Sequence, residues 1–388
     1  MGEVAQVASG VSSPQPSPLV WRKIGKAVRN AVVSTAAGPY SCLFLVDDNV
    51  NWSLSWDMYA LGEIASRLGI RTCASGTVRG IRRQAVFHAS QFVLVKPELL
   101  HGTNHIGFAY FHGRPTSQEP EFLAYYDGLR RYHRAVHRIQ VTNSAMRTLV
   151  LESGIAPEKV FLIPIGINLA YFQVQTPESK RQVRQALGLP QSAVIIGSFQ
   201  KDGVGWGEGL EPKLIKGPDI FLRVIERLKP LVPELFVLLS GPARGFIKHG
   251  LERLGVPYHH TFQEDYRDVG RLFQTLDFYL VTSREEGGPK AVLESMASGV
   301  PFVTTRVGQA ADLVSHGRNG WMVEPEDVDG LTYWTASVLT HRDSPEVLDV
   351  LRQGRQTAEA NTYDAQRPLW RTFMHGFVEP AYSEDRTP

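Results

Sequence analysis

The sequence predicts an α/β chain built as two doubly wound Rossmann-like domains that face a cleft. Three observations predict it. The 388 residues exceed what one hydrophobic core usually supports. Short apolar runs alternate with longer helical patterns along most of the chain. The alternation comes in two series, separated by a stretch that Pro164, Gly166 and Pro177 punctuate.

Taken in order, residues 1–19 read as a disordered tail, because they are rich in Ser, Pro and Gly and lack the basic start and apolar run of a signal peptide. Gln6 stands where a myristoylation site needs Ser or Thr. Residues 20–33 (VWRKIGKAVRNAVV) read as a short helix carrying Arg22, Lys23, Lys26 and Arg29 beside Trp21, Ile24 and Val28. Two readings fit it: a peripheral contact with an anionic membrane, or a helix leading into the first strand with its charges in water.

The first strand is expected at 42–46 (CLFLV), followed by a polar loop and a helix over 57–68. Residues 92–95, 106–111 and 139–142 read as further strands, and FLAYYDGLRRYHRAVH around Tyr126 as a helix. The second series places strands at 193–199, 235–240, 278–282 and 300–304, each followed by a helical pattern. The linker is expected at 172–179, which divides the chain into domains 20–175 and 176–363. Ligands of such sheets sit at the carboxyl ends of the strands.

Composition excludes several classes. With 43% hydrophobic and 21% charged residues, the chain is close to the globular average, which argues against wholesale disorder. A net charge of +2 gives no general attraction to nucleic acid. Cys42 and Cys73 are too few for a disulfide framework or a zinc site, and a reducing cytoplasm is the expected home. No run of about 18 apolar residues offers a membrane span.

The chemistry concentrates in 278–308, FYLVTSREEGGPKAVLESMASGVPFVTTRVG, which reads strand, tight turn, helix, strand. Pro289 suits a first helical turn and Gly299 a left-handed cap at the end. Gly287 and Gly288 allow close backbone approach to a ligand, and the helix start points free N–H groups at the same place. Glu286 precedes the turn, and Glu294 lies in the second helical turn with its side chain tilted back. Two ionised carboxylates converging there suit vicinal hydroxyls, as a ribose and a hexose offer. The plainer alternative makes Glu285 and Glu286 solvated loop charges and Glu294 an exposed helix residue.

The stretch EEGGPKAVLESMASGVPFVTT resembles the signature of the retaining glycosyl transferases group 1, family 4, which have the two-domain GT-B fold. Residues 308–331 and the interdomain-like segment 160–172 carry the resemblance further. It implies that Glu286 meets the transferred sugar and Glu294 the ribose, with Gly287, Gly288, Pro289 and Lys290 completing the donor side. It also implies that Lys216, in the Lys-Gly pair before a helix, binds phosphate. The family's arginine after the preceding strand's Gly is absent here, since Ser198 follows Gly197; Lys201 is the candidate substitute, or else a solvated loop lysine.

The glycine-rich run 203–209 is not a dinucleotide fingerprint, because Glu208 fills the third glycine's place. Asp327-Val328-Asp329 spells a metal-binding pattern but reads as a helix cap, so no metal and no cofactor are expected.

On the acceptor side, His112 follows an apolar strand and precedes a Gly-Arg-Pro turn, and it resembles a His that lies near the reacting sugar in relatives. A proton relay or a hydrogen bond to the donor is its expected role. Arg114 faces the same cleft in this reading. Asn51 and Trp52 are further acceptor-side candidates; Trp52 and Trp56 fit either stacking on sugar rings or ordinary packing. Residues 364–388 look like the final helix that crosses back to the first domain in GT-B proteins.

The expectation is a retaining, metal-independent transfer of a hexose from a nucleotide-diphosphate sugar to a glycan, lipid or small-molecule acceptor. The place expected is the cytoplasm, with a peripheral membrane contact through 20–33 in view. Two rivals use the same scaffold: a non-catalytic carbohydrate-binding protein and a sugar-nucleotide epimerase.

Overall fold

The structure, a computed structural model, describes residues 18–46, 53–100, 102–117 and 119–380. The expected disordered tail, apart from its last two residues, and the candidates Asn51 and Trp52 lie outside the described residues.

The first unit runs α1 (Pro18–Ala37), β1 (Leu43–Val46), α2 (Ser53–Arg67), β2 (Thr72–Ser75), β3 (Ala85–His88), β4 (His105–Tyr110), α3 (Pro120–Tyr132), β5 (Arg138–Val141), α4 (Ser144–Glu152) and β6 (Val160–Leu162). The second runs α5 (Pro177–Ala186), β7 (Val194–Phe199), α6 (Pro218–Leu228), β8 (Leu235–Ser240), α7 (Gly245–Leu254), β9 (Tyr258–Thr261), α8 (Val269–Phe273), β10 (Phe278–Val281), α9 (Lys290–Ser298), β11 (Phe302–Thr305), α10 (Ala310–Leu313) and β12 (Trp321–Val323). Three helices end the described chain: α11 (Val328–Thr340), α12 (Pro345–Ala360) and α13 (Arg367–Met374).

Each unit holds one six-stranded parallel sheet, ordered β2-β1-β3-β4-β5-β6 in the first and β12-β11-β10-β7-β8-β9 in the second. Strands covered by helices on both faces read as continuous apolar runs, and LFLV of β1 and FYLV of β10 are buried at every position. The second sheet reverses direction between β7 and β10. A crevice opens at such a reversal, outside the carboxyl ends of the two strands.

Several expectations are corrected. Residues 92–95 form part of a 3-10 turn, 91–95, because the Ser90 hydroxyl accepts from the Phe92 amide at 3.2 Å and closes a cap. The neighbouring strand is β3, which the sequence reading passed over, as it did β2 and the polar β9 (YHHT). Ile165 packs in the first unit's core and Ile167 in the second's, so the chain crosses over earlier than 172–179.

Helix α1 is longer than 20–33. It lays Val33, Ala37 and Asn30 on the first unit, where the buried Asn30 amide donates to the Ser75 hydroxyl and the carbonyls of Thr77 and Arg79. Val28 and Val32 face outward. At the other end, α13 covers only part of 364–388, yet Trp370, Phe373, Met374, Phe377 and Val378 all enter the first unit's core.

Candidate functional site

The reversal between β7 and β10 positions the central cluster. After β10 the chain runs through Ser283 to Glu286; after β7 a long loop ends in Lys216 at the start of α6. Gly217 joins Lys216 to α6 with φ +64°, and a Cβ there would lie 1.9 Å from the Thr282 carbonyl oxygen. Only glycine fits, and this places the lysine beside the end of β10. Lys216 Nζ lies 2.6 Å from Glu286 Oε2, and the Ser283 hydroxyl donates to Glu286 Oε1 at 3.0 Å. Burial pushes the Glu286 carboxyl up, but the Lys216 ammonium and the Ser283 hydrogen bond more than offset it and hold the group below its ordinary value.

His112 completes this cluster from the first unit. Burial first, and then the Lys216 charge, lower its imidazole to about 4, so it is neutral at pH 7. Its Nδ1 is buried without a hydrogen-bond partner, and its ring packs edge-on against Phe122. An orphaned ring nitrogen beside a lysine and a carboxylate is what a polar ligand group would satisfy.

Lys201 lies in the same electrostatic neighbourhood. Burial, then the charges of Lys213 and Lys216, lower its ammonium, so three lysines crowd this side of the loop. In this arrangement Lys201 donates to the Gly203 carbonyl at 3.0 Å and sits over the Trp206 ring at 5.0 Å. Under Ser198 lies a residue the sequence reading missed. Arg244 is fully buried, donates to the carbonyls of Ser198, Gln200 and Ser240 and to the Ser198 hydroxyl, and pairs with Asp202 at 3.0 Å. Its guanidinium is occupied by the loop, which it pins. No local motif marks it, since every partner but Ser240 belongs to 198–202.

The Gly-Gly turn differs from its expected use. A Cβ on Gly287 would lie 2.6 Å from Phe111 Cβ, and one on Gly288 would meet Ile165 and Gln309. The glycines therefore admit the first unit, with the Gly287 carbonyl accepting from Thr142 Oγ1 and Asn143 Nδ2, both at 2.9 Å. Glu285 is not a solvated loop charge, because Oε1 accepts from the backbone amides of Gly113 and Arg114. Arg114 contributes that amide, while the residue as a whole is exposed. Pro289 is the N-cap of α9, one step outside the helix, and Gly299 is its left-handed cap.

Glu294 has hydrogen-bond partners different from those of Glu286, although both carboxylates act on Tyr279. Its Oε1 accepts from the Tyr266 hydroxyl at 2.5 Å, and Lys290, one turn back, sits 5.0 Å over the Tyr266 ring. Lys290 reaches across to Asp57 of α2 at 2.6 Å, and the same Asp57 oxygen accepts from the Tyr363 hydroxyl at 2.7 Å. Burial raises the Glu294 carboxyl to about 7, against the lowering effect of Tyr266 and Lys290. No described side chain hydrogen-bonds both Glu286 and Glu294. The alternative of an exposed helix carboxylate also fails, as Glu294 is 4% exposed. Sequence reasoning missed Asp57, Tyr266 and Tyr363, whose partners are distant in the chain.

Asp327 accepts from the Gly330 amide and caps α11, and Asp329 pairs with Arg227. Among the described residues no group of three His, Cys, Asp or Glu is placed to hold a metal ion. No helix of the described residues is long and apolar enough to cross a membrane.

Residues 208–341 match the family model described as glycosyl transferases group 1. Similar proteins include a D-inositol 3-phosphate glycosyltransferase of Stackebrandtia nassauensis, 28% identical over 48% of this chain and 42% of that protein. Another is the lipopolysaccharide core biosynthesis mannosyltransferase LpsB of Rhizobium meliloti, 26% identical over 46% of this chain and 50% of that protein. The chain spans about half the length of the curated relatives it matches. Among solved structures, Anabaena Alr3699/HepE in complex with UDP and glucose superposes with a TM-score of 0.67 at 15% identity, over 86% of this chain and 99% of that one. WaaG, a glycosyltransferase involved in lipopolysaccharide biosynthesis, gives 0.62 at 16% identity, over 85% and 98%. The two facing parallel sheets are those of the GT-B fold, and within it the likeness to glycosyl transferases group 1 covers residues 208–341.

Proposed function

We propose that this chain is a retaining glycosyltransferase that moves a hexose from a nucleotide-diphosphate sugar to a glycan, lipid or small-molecule acceptor. The observation that carries the reading is the Lys216–Glu286 pair, 2.6 Å apart at the strand reversal, with the unpartnered His112 Nδ1 in the same cluster. The relatives named as glycosyltransferases, and a structural neighbour holding UDP and glucose, support it.

In this mechanism the donor separates the resting pair. Lys216, with Lys201 and Lys213 nearby, takes the diphosphate, and Glu286 accepts from sugar hydroxyls. The C1–O bond to the diphosphate breaks while the acceptor oxygen bonds to C1 on the same face, and the acceptor proton passes to the departing phosphate oxygen. Charge grows on that phosphate, so the fixed ammonium groups stabilise the transition state more than the ground state. Neutral His112 gives a hydrogen bond at the reacting centre, and Glu294, freed from Tyr266, takes the ribose hydroxyls.

The protein works in the cytoplasm, peripheral to an anionic membrane through 20–33. The exposed Val28 and Val32 beside Lys26 and Arg29, in a stretch 18–46 without Asp or Glu, support that placement. Co-sedimentation of the full chain with anionic vesicles, absent with zwitterionic ones, is the expected result; equal behaviour with both would remove it.

Purified protein incubated with UDP-, GDP- and ADP-hexoses and a set of simple glycoside acceptors is expected to release nucleotide and give a glycoside with retained anomeric configuration, and chelation with EDTA is expected to leave the rate unchanged. Glu294→Ala is expected to weaken donor binding by about 1 to 3 kcal/mol, the loss of charged hydrogen bonds. Unchanged donor affinity in that variant would overturn the ribose assignment, and inversion of the product would overturn the mechanism.

A further inference from the structure

A cavity of about 260 Å³ lies apart from Lys216, Glu286 and His112. One wall is α2, the second is the pair of crossover segments at 167–171 and 362–364, and the third is Tyr266 of the second unit. Its lining pairs aromatic rings with hydrogen-bonding groups. Trp56, Tyr59, Tyr171 and Tyr266 supply the rings, and Glu63 and Asn168 supply a carboxylate and an amide.

The geometry of these groups is already organised. Trp56 meets Tyr59 edge-on and Tyr266 at a tilt, both with ring centres 6.0 Å apart, and the Arg267 guanidinium lies 5.7 Å over Trp56. The Glu63 carboxylate lies one helical turn on from Tyr59 and raises its phenol. Asn168 Oδ1 accepts from the Ala170 amide at 3.0 Å, and its amide nitrogen donates to no described residue.

Such a lining selects its ligand by exclusion. Arg67, the lining cation, is paired with Asp364 at 2.7 Å, and the Glu63 carboxylate repels an anion, so a phosphate is disfavoured. A purely apolar ligand would use neither the Glu63 carboxylate nor the Asn168 amide. A neutral sugar ring satisfies both demands, with C–H faces on the aromatic rings and hydroxyls on the carboxylate and amide. The volume falls below the ~300 Å³ at which pockets for larger small molecules begin, which suits one ring rather than an oligosaccharide.

We propose that this cavity is a subsite for one neutral sugar ring of a saccharide acceptor. The assignment to the acceptor rests on the transferase reading; the sugar-binding itself does not. Tyr266 lines the cavity and also holds Glu294, so a ring seated here touches the residue that covers the donor-side carboxylate.

The test uses the full chain without donor, titrated with methyl α-glucoside, α-mannoside and α-galactoside and followed by saturation-transfer NMR and calorimetry. Saturable binding of at least one glycoside is expected, weakened about tenfold in Trp56→Leu and in Glu63→Gln. Glu63 is exposed, so the second variant keeps the fold. In a transfer assay Glu63→Gln is expected to raise the acceptor KM and leave the donor KM unchanged. Absence of binding by all three glycosides, or equal binding by both variants, would overturn the subsite. Because no donor is present, either result leaves the donor assignment to be judged on Glu294→Ala alone.

Discussion

Glu294 is the residue whose surroundings make the sharpest prediction. Its carboxyl is buried on α9 and faces the Tyr266 hydroxyl, Lys290, Asp57 across the interface, and Tyr363 and Tyr279 nearby. Burial raises it from the ordinary 4.5 to about 7, so between those values the folded chain keeps a proton that the unfolded chain releases. Stability from this group is therefore complete below 4.5 and falls as pH rises through about 7. Glu294→Gln cannot ionise, and it is expected to gain up to about 3 kcal/mol on the wild type across that window. Urea unfolding of both proteins at pH 4.5 and pH 7 reads the difference; a constant gap would mean that Glu294 titrates in the fold as it does in the unfolded chain. His112 runs the other way, since a histidine lowered to about 4 contributes stability above its ordinary 6.5 that is lost as pH falls. The two carboxylates were readable in the sequence because the Gly-Gly-Pro turn and short helix are local features. Their partners were not. Asp57 is 233 residues from Lys290 and 306 from Tyr363, and no spacing rule reaches that far.

At the scale of elements, strands that the sequence revealed, such as β1, β4, β8 and β10, are buried at nearly every position, but burial alone does not make a strand legible, since β3 is buried throughout and was passed over. Strands β2 and β9 sit at sheet edges, are half-exposed and carry polar residues, so their patterns are those of loops. The run at 92–95 is apolar enough for a strand, but the Ser90 cap and the packing of Val93 and Leu94 on the helix side turned it into a 3-10 segment. Helix α13 shows how a short element fastens two units. Phe373 is fully buried among Phe87, Phe161, Trp370 and Phe377, with ring centres 5.1 to 5.7 Å apart, although it follows the whole second unit in sequence. Removing a buried aromatic leaves a cavity that the surrounding rings fill only in part. Phe373→Ala is expected to cost the first unit about 3 to 5 kcal/mol, read as a lower urea midpoint for that unit's transition. A shift confined to the second unit would show that α13 is not part of the first core.

The whole molecule is held in one arrangement by contacts that gather on the loop after β10, the start of α9 and the turn after β11. Glu285 takes two amides of the first unit, the Gly287 carbonyl takes Thr142 and Asn143, Gln309 exchanges two hydrogen bonds with Ile165, Asp312 takes the Ser144 amide, and Lys290 pairs with Asp57. The same loop carries Glu286, so closure of the units and assembly of the candidate site are one event. Gly287 is where this is tested most directly. Its backbone lies outside the left-handed region, so alanine is tolerated conformationally, yet a Cβ would stand 2.6 Å from Phe111 Cβ and 2.7 Å from its carbonyl oxygen. Real carbon atoms do not approach so closely, and Phe111 is itself buried. The units must part to accept the methyl group. Gly287→Ala is expected to raise the radius of gyration in X-ray scattering and weaken donor binding, while each unit keeps its own unfolding transition. Gly207→Ala is the control, since nothing lies within 4 Å of its Cβ, and it is expected to match the wild type in both measurements. If Gly287→Ala scatters like the wild type and binds donor equally well, Phe111 gives way locally and closure does not depend on the fit at this turn.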